Sequence, residues 1–79
     1  MRWLTAIPVY NEARHVTDVL ARTRRYSPDI LVVNDGSTDG TADLLAAEPG
    51  ILRVDHPKNR GYGAALQSAF AFALAHEYD

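Results

Sequence analysis

The 79-residue sequence contains no cysteine, so disulfides, thiolate metal sites and cysteine nucleophiles are all excluded. Its three histidines, His15, His56 and His76, are scattered and lack the spacing of a zinc site. Neither sign of charge dominates. Eight Lys and Arg against ten Asp and Glu leave a net charge of -2, which gives no electrostatic case for nucleic acid. Arg22, Arg24 and Arg25 form a small basic cluster that reads as a solvated helix end favouring the dipole. Long apolar runs are missing too, since none approaches the ~18 residues that span a bilayer. Pro8 and Asn11-Glu12 interrupt the start before a signal-peptide core can form. These absences predict a soluble, cytoplasmic chain with no membrane span in this part.

A chain this short buries only ~60% of the surface its unfolded form exposes, so its core is marginal without help. Disulfides and an internal metal site are already excluded, which leaves oligomerisation or membership of something larger.

What is present is an alternation of two kinds of segment. Trp3 to Ile7 is a short apolar run ended by Pro8 and reads as a strand. Val16, Val19, Leu20 and Thr23 follow at helical spacing, with Asn11 as the expected N-cap and Glu12 in the first turn. Ser27-Pro28-Asp29 breaks that helix. Ile30 to Val33 is apolar without alternation, the pattern of a strand covered on both faces, as in a parallel sheet. Asn34-Asp35-Gly36-Ser37 turns the chain, and Thr38 to Ala47 reads as a second helix capped by Ser37 or Thr38. Ile51 to Val54 is a third strand, and residues 61–77 a third helix. The order βαβαβα calls for an α/β fold with a parallel sheet and right-handed crossovers. In the third helix Leu66, Ala69, Phe70 and Ala73 form one apolar stripe, while Ala65, Phe72 and Leu74 lie off it. A helix apolar nearly all round wants more than one neighbour, which means a further part of the fold or a dimer contact. The plainer alternative is an alanine-rich helix with one exposed Phe.

In open α/β sheets, ligands bind beyond the carboxyl ends of the strands. Three loops emerge there: Pro8 to Glu12, Asn34 to Asp39, and His56 to Gly63. Asp35, held at a sheet edge, can accept a hydrogen bond from a ring N–H or a ribose hydroxyl; the ordinary alternative is an Asp-Gly turn with a Ser/Thr cap. Asp35, Ser37, Asp39, Gly40 and Asp43 imitate a calcium loop, but Ala46 stands where a bidentate glutamate belongs and a strand precedes it, so an EF-hand is rejected. Gly61-Tyr62-Gly63 lacks the third glycine of a dinucleotide fingerprint and follows the wrong strand. Arg60 and two glycines at a helix start still leave backbone N–H groups for a phosphate, or simply relax the helix entry. No Ser/His/Asp arrangement is evident, and Glu12 reads as a dipole partner rather than a general base.

Taken together and in order, Ile7-Pro8-Val9-Tyr10-Asn11-Glu12, Val32-Val33-Asn34-Asp35-Gly36-Ser37-Thr38-Asp39-Gly40-Thr41 and Asn59-Arg60-Gly61-Tyr62-Gly63-Ala64-Ala65 resemble the family 2 glycosyltransferases of GT-A fold, most closely the polyprenyl- or dolichol-phosphate sugar synthase branch. The resemblance covers essentially the whole chain. It implies one half of a Rossmann-like nucleotide-binding domain, with strands ordered 3-2-1. It also implies transfer of a sugar from a UDP- or GDP-sugar to an acceptor such as a polyprenyl phosphate. By the same resemblance Pro8, Tyr10 and Glu12 line the nucleotide pocket, Asp35 binds the base, and Ser37, Arg60 and Gly61 border the same pocket. Asn34 stands where many relatives carry a second aspartate. In the family the next strand ends in an Asp-x-Asp that holds Mg²⁺ or Mn²⁺. This sequence has no Asp-x-Asp and ends at Tyr78-Asp79, so the resemblance implies a fragment that holds no metal. Such a fragment binds nucleotide at most, at the cytoplasmic face of the membrane in the full-length protein, and associates with itself through the exposed first strand and the third helix. Two other classes stand beside this one: a nucleotide-binding or regulatory module without catalysis, and a response-regulator-like domain. The last lacks the acidic cluster it would need.

Overall fold

A computed structural model describes residues 3–78. Its elements run β1 (Thr5–Val9), α1 (Val16–Thr23), β2 (Ile30–Asp35), α2 (Thr41–Ala47), β3 (Leu52–His56) and α3 (Tyr62–Ala75). The three strands form one parallel sheet in the order β1-β2-β3, with Ile7 opposite Val32 and Asp35 opposite His56. The α/β class, the βαβαβα order and the strand order all follow the expectation.

Strand parity divides the core in two. On one face Ile30 and Val32 pack with Val9, Val16, Leu20 and Leu45 under α1 and α2. On the other, Leu31 and Val33 pack with Ala65 and Ala69 of α3. All six residues of β2 are buried, which is why Ile30 to Val33 is apolar without alternation.

Several boundaries differ from the sequence reading. β1 runs through Pro8 to Val9. A proline is tolerated there because Thr5 donates its N–H toward Asp29, and alternation then turns residue 8 toward the side away from β2. β2 likewise continues through Asn34 and Asp35. Asn11 is not the N-cap of α1: its φ of 53° is left-handed, its side chain is spent on the neighbouring loop, and the helix begins after His15. α2 begins at Thr41 rather than Thr38, because Asp39 Oδ1 accepts from the Thr41 N–H and closes the turn that starts it. On α3 the small residues Ala65 and Ala69 face the sheet. The stripe of Leu66 and Phe70 therefore lies to one side, with Phe70 69% and Leu74 79% exposed. Alanines let the helix approach closely; Phe72 packs against that core, while Leu66 and Phe70 are left at the rim beside β1. Arg22 pairs with Asp18, and Arg24 with Glu48 and the Pro49 carbonyl, so two of the three clustered arginines are engaged within the chain.

Candidate nucleotide site

Each of the three strands delivers a loop to the same end of the sheet, and those loops are fastened to one another. The Asn11 N–H donates to Ser37 Oγ at 2.9 Å, and the Thr38 N–H donates back to Asn11 Oδ1 at 2.7 Å. The Glu12 N–H donates to Thr41 Oγ1 at 3.0 Å, and the Ala13 N–H to Asp39 Oδ2 at 3.1 Å. The left-handed turn at Asn11 is what points successive N–H groups across the gap. Thr41 Oγ1, fully buried, also donates to Asp39 Oδ1. That bond is the chief reason the Asp39 carboxyl lies below the usual carboxylate range.

The second loop meets the third at Gly36, whose φ is 72°. A Cβ on Gly36 would sit 2.2 Å from the Lys58 carbonyl carbon and 2.3 Å from the Asn59 nitrogen, so only glycine lets the two backbones come this close. Next to it, Asp35 is 5% exposed and accepts three N–H bonds. These come from His56 Nδ1 at 2.7 Å, the Arg60 amide at 2.9 Å and the Gly61 amide at 2.9 Å. The His56 bond first, then the Arg60 amide, hold the Asp35 carboxyl below its ordinary value despite burial, which pushes the other way. Since an ionised Asp35 only accepts, His56 Nδ1 must carry the hydrogen. On the opposite face Asn34 donates to Asp55 Oδ1 at 3.1 Å and accepts from the Ser37 N–H at 3.3 Å. Parity decides the division of labour: Asp35 faces α3, Asn34 faces away.

The residues singled out from the sequence fall into two groups at this end of the sheet. Pro8 and Glu12 line a cavity of about 230 Å³ with Ile7, Val9, Val16 and Val19, and Tyr10 stands 45% exposed on the same loop. Asp35, Arg60 and Gly61 form the second group, joined by the bonds just described. Ser37 is tied to the first group through Asn11. The Arg60 side chain is exposed. The Asp35 carboxylate is turned inward on its three donors, which occupy most of its roughly four acceptor positions.

The sequence reading missed Asn11 as a loop clamp, Thr41, and above all His56, whose Nε2 lies 2.7 Å from Ser68 Oγ on α3. An Asp35–His56–Ser68 chain therefore exists where none was expected, because the serine is helical rather than in a loop. The signal available was register: Asp35 and His56 close adjacent strands opposite each other. Among the described residues no group of three His, Asp or Glu converges to hold a cation. No helix among them is long and apolar enough to cross a membrane.

A three-stranded parallel sheet with loops clamped at its carboxyl ends is the architecture of a Rossmann-like half-domain. Residues 5–76 match the family described as Glycosyl transferase family 2, and the chain belongs to that family. It is 42% identical, over 85 aligned positions, to an undecaprenyl-phosphate mannosyltransferase of Micrococcus luteus, covering 100% of this chain and 35% of the relative. It is 40% identical to a polyprenol monophosphomannose synthase of Mycolicibacterium smegmatis, covering 98% of this chain and 32% of the relative. To a dolichyl-phosphate beta-glucosyltransferase of Trichomonas vaginalis it is 38% identical, covering 78% of this chain and 23% of the relative. The chain thus spans about a third or less of the length of these relatives. No solved structure gives a significant match.

Proposed function

We propose that these residues form the nucleotide-binding part of a glycosyltransferase that moves a sugar from a UDP- or GDP-sugar to a polyprenyl-phosphate acceptor at the cytoplasmic face of a membrane. The observation that carries the reading is the clamping of three strand-end loops into one surface, in a chain of family 2. In this reading Pro8, Tyr10 and Glu12 wall the nucleotide, with the exposed Tyr10 ring as a surface for the base. Ser37 and the Arg60-Gly61 backbone border it, and the Arg60 guanidinium supplies a cation for phosphate. Asp35, turned inward, acts here by holding the Arg60 and Gly61 amides. The polyprenyl acceptor is supported by the names of the relatives.

A Mg²⁺ or Mn²⁺ ion on the diphosphate does not fit the described residues by themselves. The 79-residue chain therefore binds nucleotide without turning over, and ligands for a cation come from elsewhere in a longer protein. The alternative, a binding or regulatory module without catalysis, shares this nucleotide site and parts from the first reading only in having no transfer activity in its longest natural form.

Titration calorimetry with UDP and GDP tests the site, with Tyr10→Ala and Arg60→Ala as controls, since both side chains are exposed and neither is needed for the core. Binding of one nucleotide, weakened about tenfold or more in either variant, is the expected outcome, tenfold being ~1.4 kcal/mol. No heat from either nucleotide in a folded chain would overturn the reading.

A further inference from the structure

The Asp35–His56–Ser68 chain has the membership of a hydrolytic triad but not its surroundings. Ser68 lies midway along α3, where the backbone N–H groups around it are bonded within the helix and cannot stabilise an oxyanion. His56 is buried, and Ser68 is half-buried on the sheet side. The chain's outlet is instead at its other end. Asp35 Oδ1 receives both His56 Nδ1 and the Arg60 amide, while Oδ2 receives the Gly61 amide. The pose of the carboxylate therefore depends on the imidazole, and the pose of the imidazole on Ser68.

We propose that His56 and Ser68 are positioning residues for the nucleotide pocket: Ser68 on α3 orients the imidazole, the imidazole fixes Asp35, and Asp35 sets the Arg60-Gly61 backbone that borders the pocket. This rests on the nucleotide reading above. In the neutral imidazole, Nδ1–H is committed to Asp35, so Nε2 accepts from the Ser68 hydroxyl. Asp35, as an acceptor, sets the tautomer, and the serine fixes the ring orientation. It does so at the cost of one half-buried hydroxyl, and α3 is thereby coupled to the β3–α3 loop by side chains as well as by covalent continuity.

The decisive variant is Ser68→Ala in the full chain, a change small enough to leave the fold in place. Amide hydrogen exchange is read at Arg60 and Gly61, with Leu31 and Val33 as reporters of the core. The expected result is about five- to tenfold faster exchange at Arg60 and Gly61, the equivalent of one ordinary hydrogen bond, with the core unchanged. Ser68→Thr, which keeps the hydroxyl, restores the slow exchange. UDP or GDP, whichever the wild type binds, binds Ser68→Ala about three- to tenfold more weakly. Unchanged exchange at the two amides, or equal acceleration in the core, overturns the proposal, as does altered exchange with unaltered nucleotide affinity. Failure of the wild type to bind either nucleotide sinks the nucleotide reading instead, and the exchange result still decides whether Ser68 sets the loop.

Discussion

Asp35 and Gly36 are adjacent and hold the same loop by different physics. Asp35 does it electrostatically. Its carboxyl is held below the ordinary value by the His56 hydrogen bond and then by the Arg60 amide. A depressed folded-state value means stability that is complete above the unfolded carboxylate value of ~3.9 and lost as pH falls through the lower folded value. Urea midpoints measured from pH 7 downward should therefore drop below about pH 4 in the wild type. They should drop less steeply in Asp35→Asn, which starts lower because the charge is gone at every pH. Parallel curves for the two proteins would remove Asp35 from the acid response. Gly36 acts by absence. Gly36→Ala incurs the left-handed penalty of about 1–2 kcal/mol and drives a methyl into the Lys58–Asn59 backbone. Gly40 has φ 96° but no described atom within 4 Å of a new Cβ, so Gly40→Ala incurs only the first cost. Chemical denaturation should rank Gly36→Ala clearly below Gly40→Ala, and equal losses would contradict the close approach.

At the scale of elements, the junction of the first two loops depends on Thr41, the first residue of α2. Its hydroxyl accepts from the Glu12 amide and donates to Asp39, so one buried oxygen serves α1's entry and α2's start together. Thr41→Val keeps the shape and removes the hydroxyl, leaving the Glu12 N–H and an Asp39 lone pair without that partner. The loss should be about 1–3 kcal/mol by urea unfolding, the cost of an unmet polar group. A change within about 0.5 kcal/mol would show that water replaces the hydroxyl without penalty. Helical periodicity showed that α1 and α2 exist, but their starts were misplaced toward Asn11 and Thr38. Asn and Thr are good caps in isolation. Here their polar groups are consumed by a contact between loops, which no local pattern contains.

For the whole molecule, an apolar surface lies along β1. Among the described residues β1 pairs only with β2, and beside its other edge Leu4, Ala6, Leu66, Ala69, Phe70 and Ala73 line an apolar cavity of about 200 Å³. An unpaired edge flanked by exposed apolar side chains is a surface for association. We propose that the isolated chain self-associates there. Light scattering at tens of micromolar should give a mass above 8.7 kDa. Phe70→Glu should lower it toward the monomer, with stability changed by no more than about 0.5 kcal/mol because Phe70 is 69% exposed. A monomeric wild type would overturn this.

The sequence by itself determined the order of elements, the parallel sheet and the family. Each rests on pattern along the chain: the apolar run of β2, helical spacing around Val16 and Leu20, and three motifs in fixed order. It also singled out the three loops, because strand order in an α/β fold dictates where loops emerge. Only the tertiary structure decided what those loop residues do. Asp35 is engaged by His56, Arg60 and Gly61 because parity turns it toward α3 and parallel register sets His56 opposite it. Ser68 joins because α3 crosses that face on its alanines. Contacts of this kind depend on the relative placement of elements 12 to 26 residues apart in the chain, which local sequence does not encode.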